Sequence, residues 1–111
     1  MCAAAAVAGA IGFVNDFDFQ TISNAIINTL GGVSGIVCDG ANSSCPIKIA
    51  NGTYAAYDGI AMAANGNVIT VGDGIVGQDV EQTINNIAEM AQKGMDVTDK
   101  VILDIMTRDD I

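Results

Sequence analysis

Residues 18–32 read DFQTISNAIINTLGG, and this stretch carries the signals of a complete amphipathic helix. Its apolar side chains recur at steps of three and four residues, the spacing of one helix face. They are Phe19, Ile22, Ile26 and Leu30. Asp18 is suited to accept hydrogen bonds from the first turn, and the pair Gly31-Gly32 is typical of a helix end. The stretch therefore predicts a helix that begins after Asp18 and ends at the two glycines.

Helical signals also lie on both sides of this stretch. Upstream, residues 2–14 are rich in alanine, a strong helix former, and Gly9 and Gly12 would let another helix approach closely. We predict a buried helix there. Downstream, Pro46 suits the first turn of a helix that begins near Cys45. That helix is predicted to run through a series of spaced residues: Ile47, Ala50, Tyr54, Tyr57 and Ala61.

The C-terminal third predicts two more helices. Asp79, with Gln82 three residues later, is typical of a helix start, and Gly94 is interpreted as the end. The apolar stripe of that helix comprises Val80, Ile84, Ile87 and Ala91. Asp96 is predicted to begin the last helix, whose inward-facing residues would be Val97, Val101, Ile102 and Ile105. The fold class expected from these patterns is all-α, a helical bundle with glycine-rich connections and at most one short strand.

The one candidate strand is residues 67–71, NVITV, which are mostly β-branched and follow an Asn-Gly turn. Gly72, Gly74 and Gly77 then spell GxGxxG, a pattern that can bind a dinucleotide between a strand and a helix. A dinucleotide fold needs a parallel sheet, and no second strand is visible. We therefore interpret these glycines as a tight turn that leads to the helix capped by Asp79.

Length and charge narrow the class of protein. The 111 residues suit a single domain, 1–111. With 4 Lys and Arg against 13 Asp and Glu, the net charge is -9, which disfavours nucleic acid and membrane-surface partners. The hydrophobic share of 50% is high for a free-standing small domain and implies tight packing or a face covered by missing chain. Three cysteines cannot all pair, so a reducing cytoplasm is expected.

The cysteines carry the candidate chemistry. Cys38 and Cys45 bracket a small polar loop, and the start of a helix at Cys45 would favour a thiolate there. A zinc site is a poor fit because the chain has three cysteines and no histidine. An iron-sulfur cluster on three thiolates would leave one iron open to act as a Lewis acid. The alternative is that all three cysteines are small buried hydrophobic residues.

The segment GGVSGIVCDGANSSCPIKIA, residues 31–50, resembles the cluster-binding segment of the L-cysteine desulfidase and L-serine dehydratase alpha-chain family. Residues 73–106 resemble the C-terminal end of its desulfidase-like branch. The resemblance implies an all-helical lyase with a 4Fe-4S cluster on Cys2, Cys38 and Cys45. It also implies β-elimination of L-cysteine or L-serine to an enamine, which hydrolyses to pyruvate and ammonia, with release of sulfide or water.

Full-length chains of that family are longer than this one. The resemblance therefore implies that this chain is the C-terminal part of a catalytic domain. Met1 directly before Cys2 is interpreted as the start of a fragment or of a split-gene subunit. The expected partners are a small amino-acid substrate, the upstream half of the enzyme or a partner subunit, and further copies in a homo-oligomer. A different class stays open: a non-catalytic helical interaction module, or an inactive fragment, with structural cysteines.

Two charged residues near the cysteines are candidate catalytic groups. Lys48 lies one helical turn after Cys45, where it could offer a cation to the cluster or to a substrate carboxylate; a solvated lysine is the alternative. Asp39 could orient a thiolate or accept a substrate ammonium, although an Asp-Gly pair is commonly a turn. No residue in the chain is evidently tuned as the base that removes the substrate α-proton.

Overall fold

A computed structural model describes residues 1–108, and within them the chain forms four helices and no strand. The helices are α1, Cys2–Val14; α2, Phe19–Val33; α3, Cys45–Ala64; and α4, Val80–Met106. The predicted all-α class is confirmed. The last three residues of the predicted 1–111 domain, 109–111, lie outside the described residues.

The predicted helix starts are confirmed by their capping hydrogen bonds. Asp18 Oδ1 accepts from the backbone N–H of Thr21 at 2.8 Å, and Asp79 Oδ1 accepts from that of Gln82 at 2.7 Å. Each bond satisfies a first-turn N–H that has no partner within the helix. The Gln82 side chain in turn accepts from the backbone N–H of Gln78 at 2.6 Å. Both helices therefore begin where their aspartates indicated.

The core is a bundle of α1, α2 and α3 held together by small residues. Its buried members are Ala8, Ala25, Ala56, Ile60 and Ala63. A Cβ built on Gly52 would lie 3.1 Å from Ala4 Cβ, and one built on Gly12 would lie 3.1 Å from Ile22 Cγ1. The helices approach this closely because these positions carry no larger side chain. The close approach of another helix that was predicted at the glycines of α1 is confirmed.

The direction of the helices decides at which end of the bundle the cysteines lie. The start of α1 packs beside the first half of α3, as the contact between Ala4 and Gly52 shows. The later part of α1 packs against the first half of α2, where Gly12 meets Ile22. Therefore α1 and α3 begin at the same end of the bundle, and α2 ends there.

The predicted strand at 67–71 is wrong. The segment has no regular structure, and the buried Asn28 side chain of α2 bonds to its backbone. The Asn28 amide donates to the carbonyls of Asn67 at 3.0 Å and Gly59 at 3.3 Å, and its oxygen accepts from the N–H of Ile69 at 2.8 Å. Because an asparagine side chain satisfies these groups, no neighbouring strand is needed. The glycines at 72 and 74 have positive φ and form turns, as interpreted from the sequence.

The predicted break between two C-terminal helices is also wrong, because α4 runs through Gly94 to Met106 without interruption. One glycine costs a helix only about 1 kcal/mol, and ion pairs at i,i+4 spacing flank it. These join Lys93 to Glu89 at 2.6 Å and Lys100 to Asp96 at 3.2 Å. Asp96 therefore pairs within the helix instead of starting one. Similarly, α2 continues to Val33, slightly beyond its predicted glycine end.

Several large apolar side chains that the periodic patterns single out do not lie in the core. In α3 the bundle-facing side is made of Gly52, Ala56, Gly59, Ile60 and Ala63, whereas the predicted series from Ile47 to Ala61 is exposed. In α4 the residues predicted to face inward are exposed or half-buried, and Thr83 is the one buried residue of the helix. Within residues 1–108, none of the helices combines the length and apolar character needed to cross a membrane.

Candidate functional site

The common end of α1 and α3 contains a cavity of about 290 Å³. Two cysteines and a lysine are among the residues that line it: Cys38, Cys45 and Lys48. The rest of the lining is mainly apolar and comprises Met1, Ala3, Ala4, Val33, Ile36, Val37, Gly40, Ile49 and Gly52. A small cavity with two thiols and one cation in an apolar wall can hold a soft metal centre or a small anionic molecule.

Cys38 and Cys45 stand on either side of a folded loop. Cys45 is the first residue of α3, and its thiol donates to the carbonyl of Gly40 at 3.4 Å. Gly40 has φ of 98°, a left-handed backbone conformation that glycine adopts without strain. Cys38 precedes the loop and is exposed. The loop therefore directs both of these predicted ligands to one cavity.

Asn42 organises this loop with its side-chain amide. The Asn42 oxygen accepts from the backbone N–H of Ser44 at 2.8 Å and from its hydroxyl at 2.5 Å. The Asn42 nitrogen donates to Asp39 Oδ1 at 3.2 Å and to the Asp39 carbonyl at 3.3 Å. This network was not predicted from the sequence. The signal that could have found it is the short run of Asn and Ser residues, whose side chains commonly bond to nearby backbone in turns.

Lys48 and Asp39, the two predicted catalytic residues, form an ion pair at the cavity. The hydrogen bond from Lys48, with a further one from Asn42, holds the pKa of the Asp39 carboxyl below its ordinary value of 3.8. The Lys48 side chain is 30% exposed and that of Asp39 is 47% exposed, so water screens the pair in part. The pair joins the loop to the first turn of α3 and keeps a cation at the cavity.

Cys2 is less closely placed than the other two cysteines. It is the first residue of α1 and is exposed, and its two neighbours, Met1 and Ala3, line the cavity. In the described part of the chain, no three cysteine or carboxylate side chains lie close enough together to hold a metal ion. The fold thus brings all three cysteines to one end of the bundle, with two of them lining the cavity and the third at its edge.

The Asp39 pair gives a test of loop order. We expect Asp39→Asn to increase hydrogen exchange of the 38–45 amides by about two- to fivefold, the range for a partly exposed ion pair. Because the folded pKa of Asp39 is lowered, its contribution is present above pH 3.8 and is lost as pH falls through the folded pKa. Lowering the pH through that pKa should therefore change the exchange of the 38–45 amides less in Asp39→Asn than in the wild type.

Asp58→Asn is the matched control for this measurement, because Asp58 is an exposed aspartate in the middle of α3. It should leave exchange in the loop unchanged at every pH. Equal exchange in the Asp39 variant and the wild type would contradict a role for the ion pair in holding the loop.

The fold and the site define a class: an all-α chain whose three-helix bundle presents thiols and a lysine in a cavity at one end. Comparison with known proteins identifies the family. A family model described as serine dehydratase alpha chain matches residues 1–104. The chain belongs to the serine dehydratase alpha chain family, as predicted.

Curated relatives with significant similarity include several named as UPF0597 proteins. One from Fusobacterium nucleatum is 49% identical over 108 residues, covering 97% of this chain and 25% of the relative. One from Treponema denticola is 44% identical over 107 residues, covering 96% of this chain and 25% of the relative. The UPF0597 protein YhaM of Escherichia coli is 39% identical over 104 residues, covering 94% of this chain and 24% of the relative. The chain thus spans about a quarter of the length of these relatives. No solved structure matches it significantly.

Proposed function

We propose that this chain supplies the cluster-binding part of an iron-sulfur lyase that eliminates the β-substituent of L-serine or L-cysteine. The observation that carries the proposal is the cavity at the common end of α1 and α3, which is lined by Cys38, Cys45 and Lys48. Membership of the serine dehydratase alpha chain family supports the reaction class. The products would be pyruvate and ammonia, with release of water from serine or sulfide from cysteine.

The donor set suits a 4Fe-4S cluster in kind, and all three cysteines lie at one end of the bundle. Thiolates are the usual ligands of such clusters, and Cys38 and Cys45 share the cavity while Cys2 begins the neighbouring helix. Binding would require the three thiols to come closer together, since they are not already grouped for a metal in the described part of the chain. Bound there on three cysteines, the cluster would offer one iron as a Lewis acid.

Lys48 is proposed to bind the substrate carboxylate. Its ammonium lies at the cavity and is already paired with a carboxylate, that of Asp39. A substrate carboxylate could replace or share that partner, because an ammonium can donate three hydrogen bonds. Asp39 would then act by holding Lys48 in place. The apolar lining from Val33, Ile36 and Ile49 would limit water around the substrate.

Removal of the substrate α-proton is assigned to the part of the enzyme outside this chain. The cavity lining contains two cysteines that are proposed cluster ligands and a lysine that is paired with a carboxylate. We therefore propose that 1–111 is the C-terminal part of a longer catalytic domain that acts with an upstream half or a partner subunit. A homo-oligomer and a reducing cytoplasm, which would keep the three thiols available to iron, remain predictions.

Anaerobic reconstitution with ferrous iron and sulfide tests this proposal. We expect about four irons per chain and brown absorption from thiolate-to-iron charge transfer. Iron and labile sulfide should be counted on the desalted protein, with a sample carried through without sulfide as control. A colourless chain that retains no iron after reconstitution would overturn the proposal and favour the non-catalytic module. Pyruvate formation from serine and from cysteine, measured with the rest of the enzyme present, would then identify the substrate.

A further inference from the structure

One side of α4 carries an apolar stripe that the rest of the described chain leaves largely exposed. Its residues follow steps of three and four along the helix, which places them on one face. We define the α4 stripe as Ile84, Ile87, Met90, Val97, Val101 and Ile105. Five of the six are exposed, and Val97 is 68% exposed. A stripe of this kind on a 27-residue helix is a surface that normally packs against another element.

Contacts in the first two turns of α4 fix the direction in which the stripe faces. Thr83 is fully buried, and its hydroxyl accepts from the N–H of Gly77 at 3.0 Å and donates to the carbonyl of Asp79 at 2.8 Å. Asn86 donates to the carbonyl of Ile75 at 2.9 Å. The first two turns are therefore anchored to the preceding loop, and the stripe continues from them along the same side of the helix. Such a preset surface loses little conformational entropy on binding.

We propose that the α4 stripe is the docking surface for the remaining part of a serine dehydratase alpha chain. In the Fusobacterium nucleatum relative, 108 residues that are 49% identical to this chain make up 25% of the protein. The other three quarters are therefore joined to a segment of the same fold. A polypeptide about three times as long as this chain is available to cover the stripe in that relative.

Charge argues against a second copy of this chain as the occupant. The chain carries a net charge of -9, and α4 alone has five acidic residues against two lysines. Packing two α4 helices together would bring these like charges close, which opposes association. The same acidic balance opposes anionic lipid surfaces. The charge of this chain thus disfavours a second copy and a lipid surface. The length of the relatives favours the rest of the enzyme as the occupant.

This inference rests on the proposal that the chain is one part of a longer catalytic domain, and it is independent of iron. Its test is thiol labelling of cysteines placed on α4. Ile84→Cys and Val101→Cys probe the stripe, and Gln92→Cys probes the opposite face as the matched control. Each is made in this chain and at the aligned position of the full-length Fusobacterium nucleatum relative. Maleimide labelling is followed by peptide mass spectrometry, which separates these sites from the native cysteines.

We expect rapid labelling at all three positions in this chain. In the full-length relative, the two stripe positions should label at least tenfold more slowly, while the Gln92 position should be unchanged. Equal labelling of the stripe in both proteins would overturn the proposal. Protection of the Gln92 position as well would overturn the assignment to this face.

Sedimentation velocity provides a second measurement that does not depend on the relative. The mass of this chain in solution is expected to be unaffected by Val101→Glu, whether or not other surfaces form a homo-oligomer. A dimer that Val101→Glu dissociates would identify a second copy as the occupant and overturn the proposal. Neither measurement uses cluster binding or elimination, so failure of the lyase proposal and failure of the docking proposal give different results.

Discussion

Replacement of Cys45 by serine is expected to remove most of the iron that the reconstituted chain binds. Cys45 combines the features of a ligand: it lines the cavity, begins α3 and bonds through its sulfur to the loop carbonyl of Gly40. A serine hydroxyl stays protonated where a thiolate would bind iron, so one of three anchors is lost. We expect the iron content to fall from about four irons per chain in the wild type to less than about one in Cys45→Ser, with loss of the brown absorption.

Ser43→Ala is the matched control for that loss. Ser43 is exposed in the same loop, two residues before Cys45, so the variant changes the loop by one small side chain without removing a thiol. It should bind as much iron as the wild type. Cys38→Ser should resemble Cys45→Ser, whereas Cys2→Ser measures whether the cysteine at the cavity edge joins the other two. Undiminished iron and colour in Cys45→Ser would show that the cavity thiols are not the ligands.

The second large effect is expected at Gly59, where α3 crosses α2. A Cβ built there would lie 2.5 Å from Thr29 Oγ1, 3.0 Å from the carbonyl oxygen of Ala25 and 3.1 Å from the backbone nitrogen of Thr29. Two of these atoms belong to the backbone and cannot move aside alone. Gly59→Ala should therefore separate the helices and destabilise the chain by about 1–3 kcal/mol, the usual cost of overpacking. Urea unfolding followed by circular dichroism measures this change.

Gly94→Ala is the control for Gly59→Ala, because it makes the same substitution inside a helix with no atom within 4 Å of the new Cβ. Alanine is favoured over glycine in a helix by about 0.5–1 kcal/mol, so this variant should be slightly more stable than the wild type. The two substitutions should thus have opposite signs. A destabilised Gly94→Ala, or a neutral Gly59→Ala, would contradict the packing described for these positions.

Local signals predicted the helices of this chain well where the stabilising contacts are themselves local. Asp18 and Asp79 cap their helices by bonding to residues three positions later, so both partners of each hydrogen bond lie close together in the sequence. Gly94 shows the limit of this reasoning. Glycine often ends a helix, but α4 continues because its next residues remain helical and ion pairs support both sides.

Tertiary contacts explain most of the differences from the sequence predictions. The segment at 67–71 has the composition of a strand, yet its backbone groups bond to Asn28, about forty residues earlier. In α3, large apolar residues suggested one face, but close packing on α1 and α2 requires the face with glycine and alanine. Neither outcome can be deduced from a single segment, because each depends on which distant element lies alongside.

The sequence singled out residues that the cavity brings together, but not the geometry of the cavity; the cluster chemistry remains a prediction. The types and spacing of Cys38, Cys45 and Lys48 pointed to one site, and the cavity contains all three. The approach of Cys2 to that end depends on α1 and α3 beginning together, which is a property of bundle topology. The loop network centred on Asn42 depends on side-chain positions that spacing alone does not define.

The helix α4 touches the rest of the molecule near both of its ends, and this makes it a strut between two distant regions. Its 27 residues, Val80–Met106, span about 40 Å. Thr83 is anchored near one end, and at the other end Met106 Sδ lies 3.5 Å from a Cβ built on Gly40. Gly40 carries the carbonyl that holds the Cys45 thiol. The helix α4 thus contacts the loop between Cys38 and Cys45 at its C-terminal end and the segment before it at its N-terminal end.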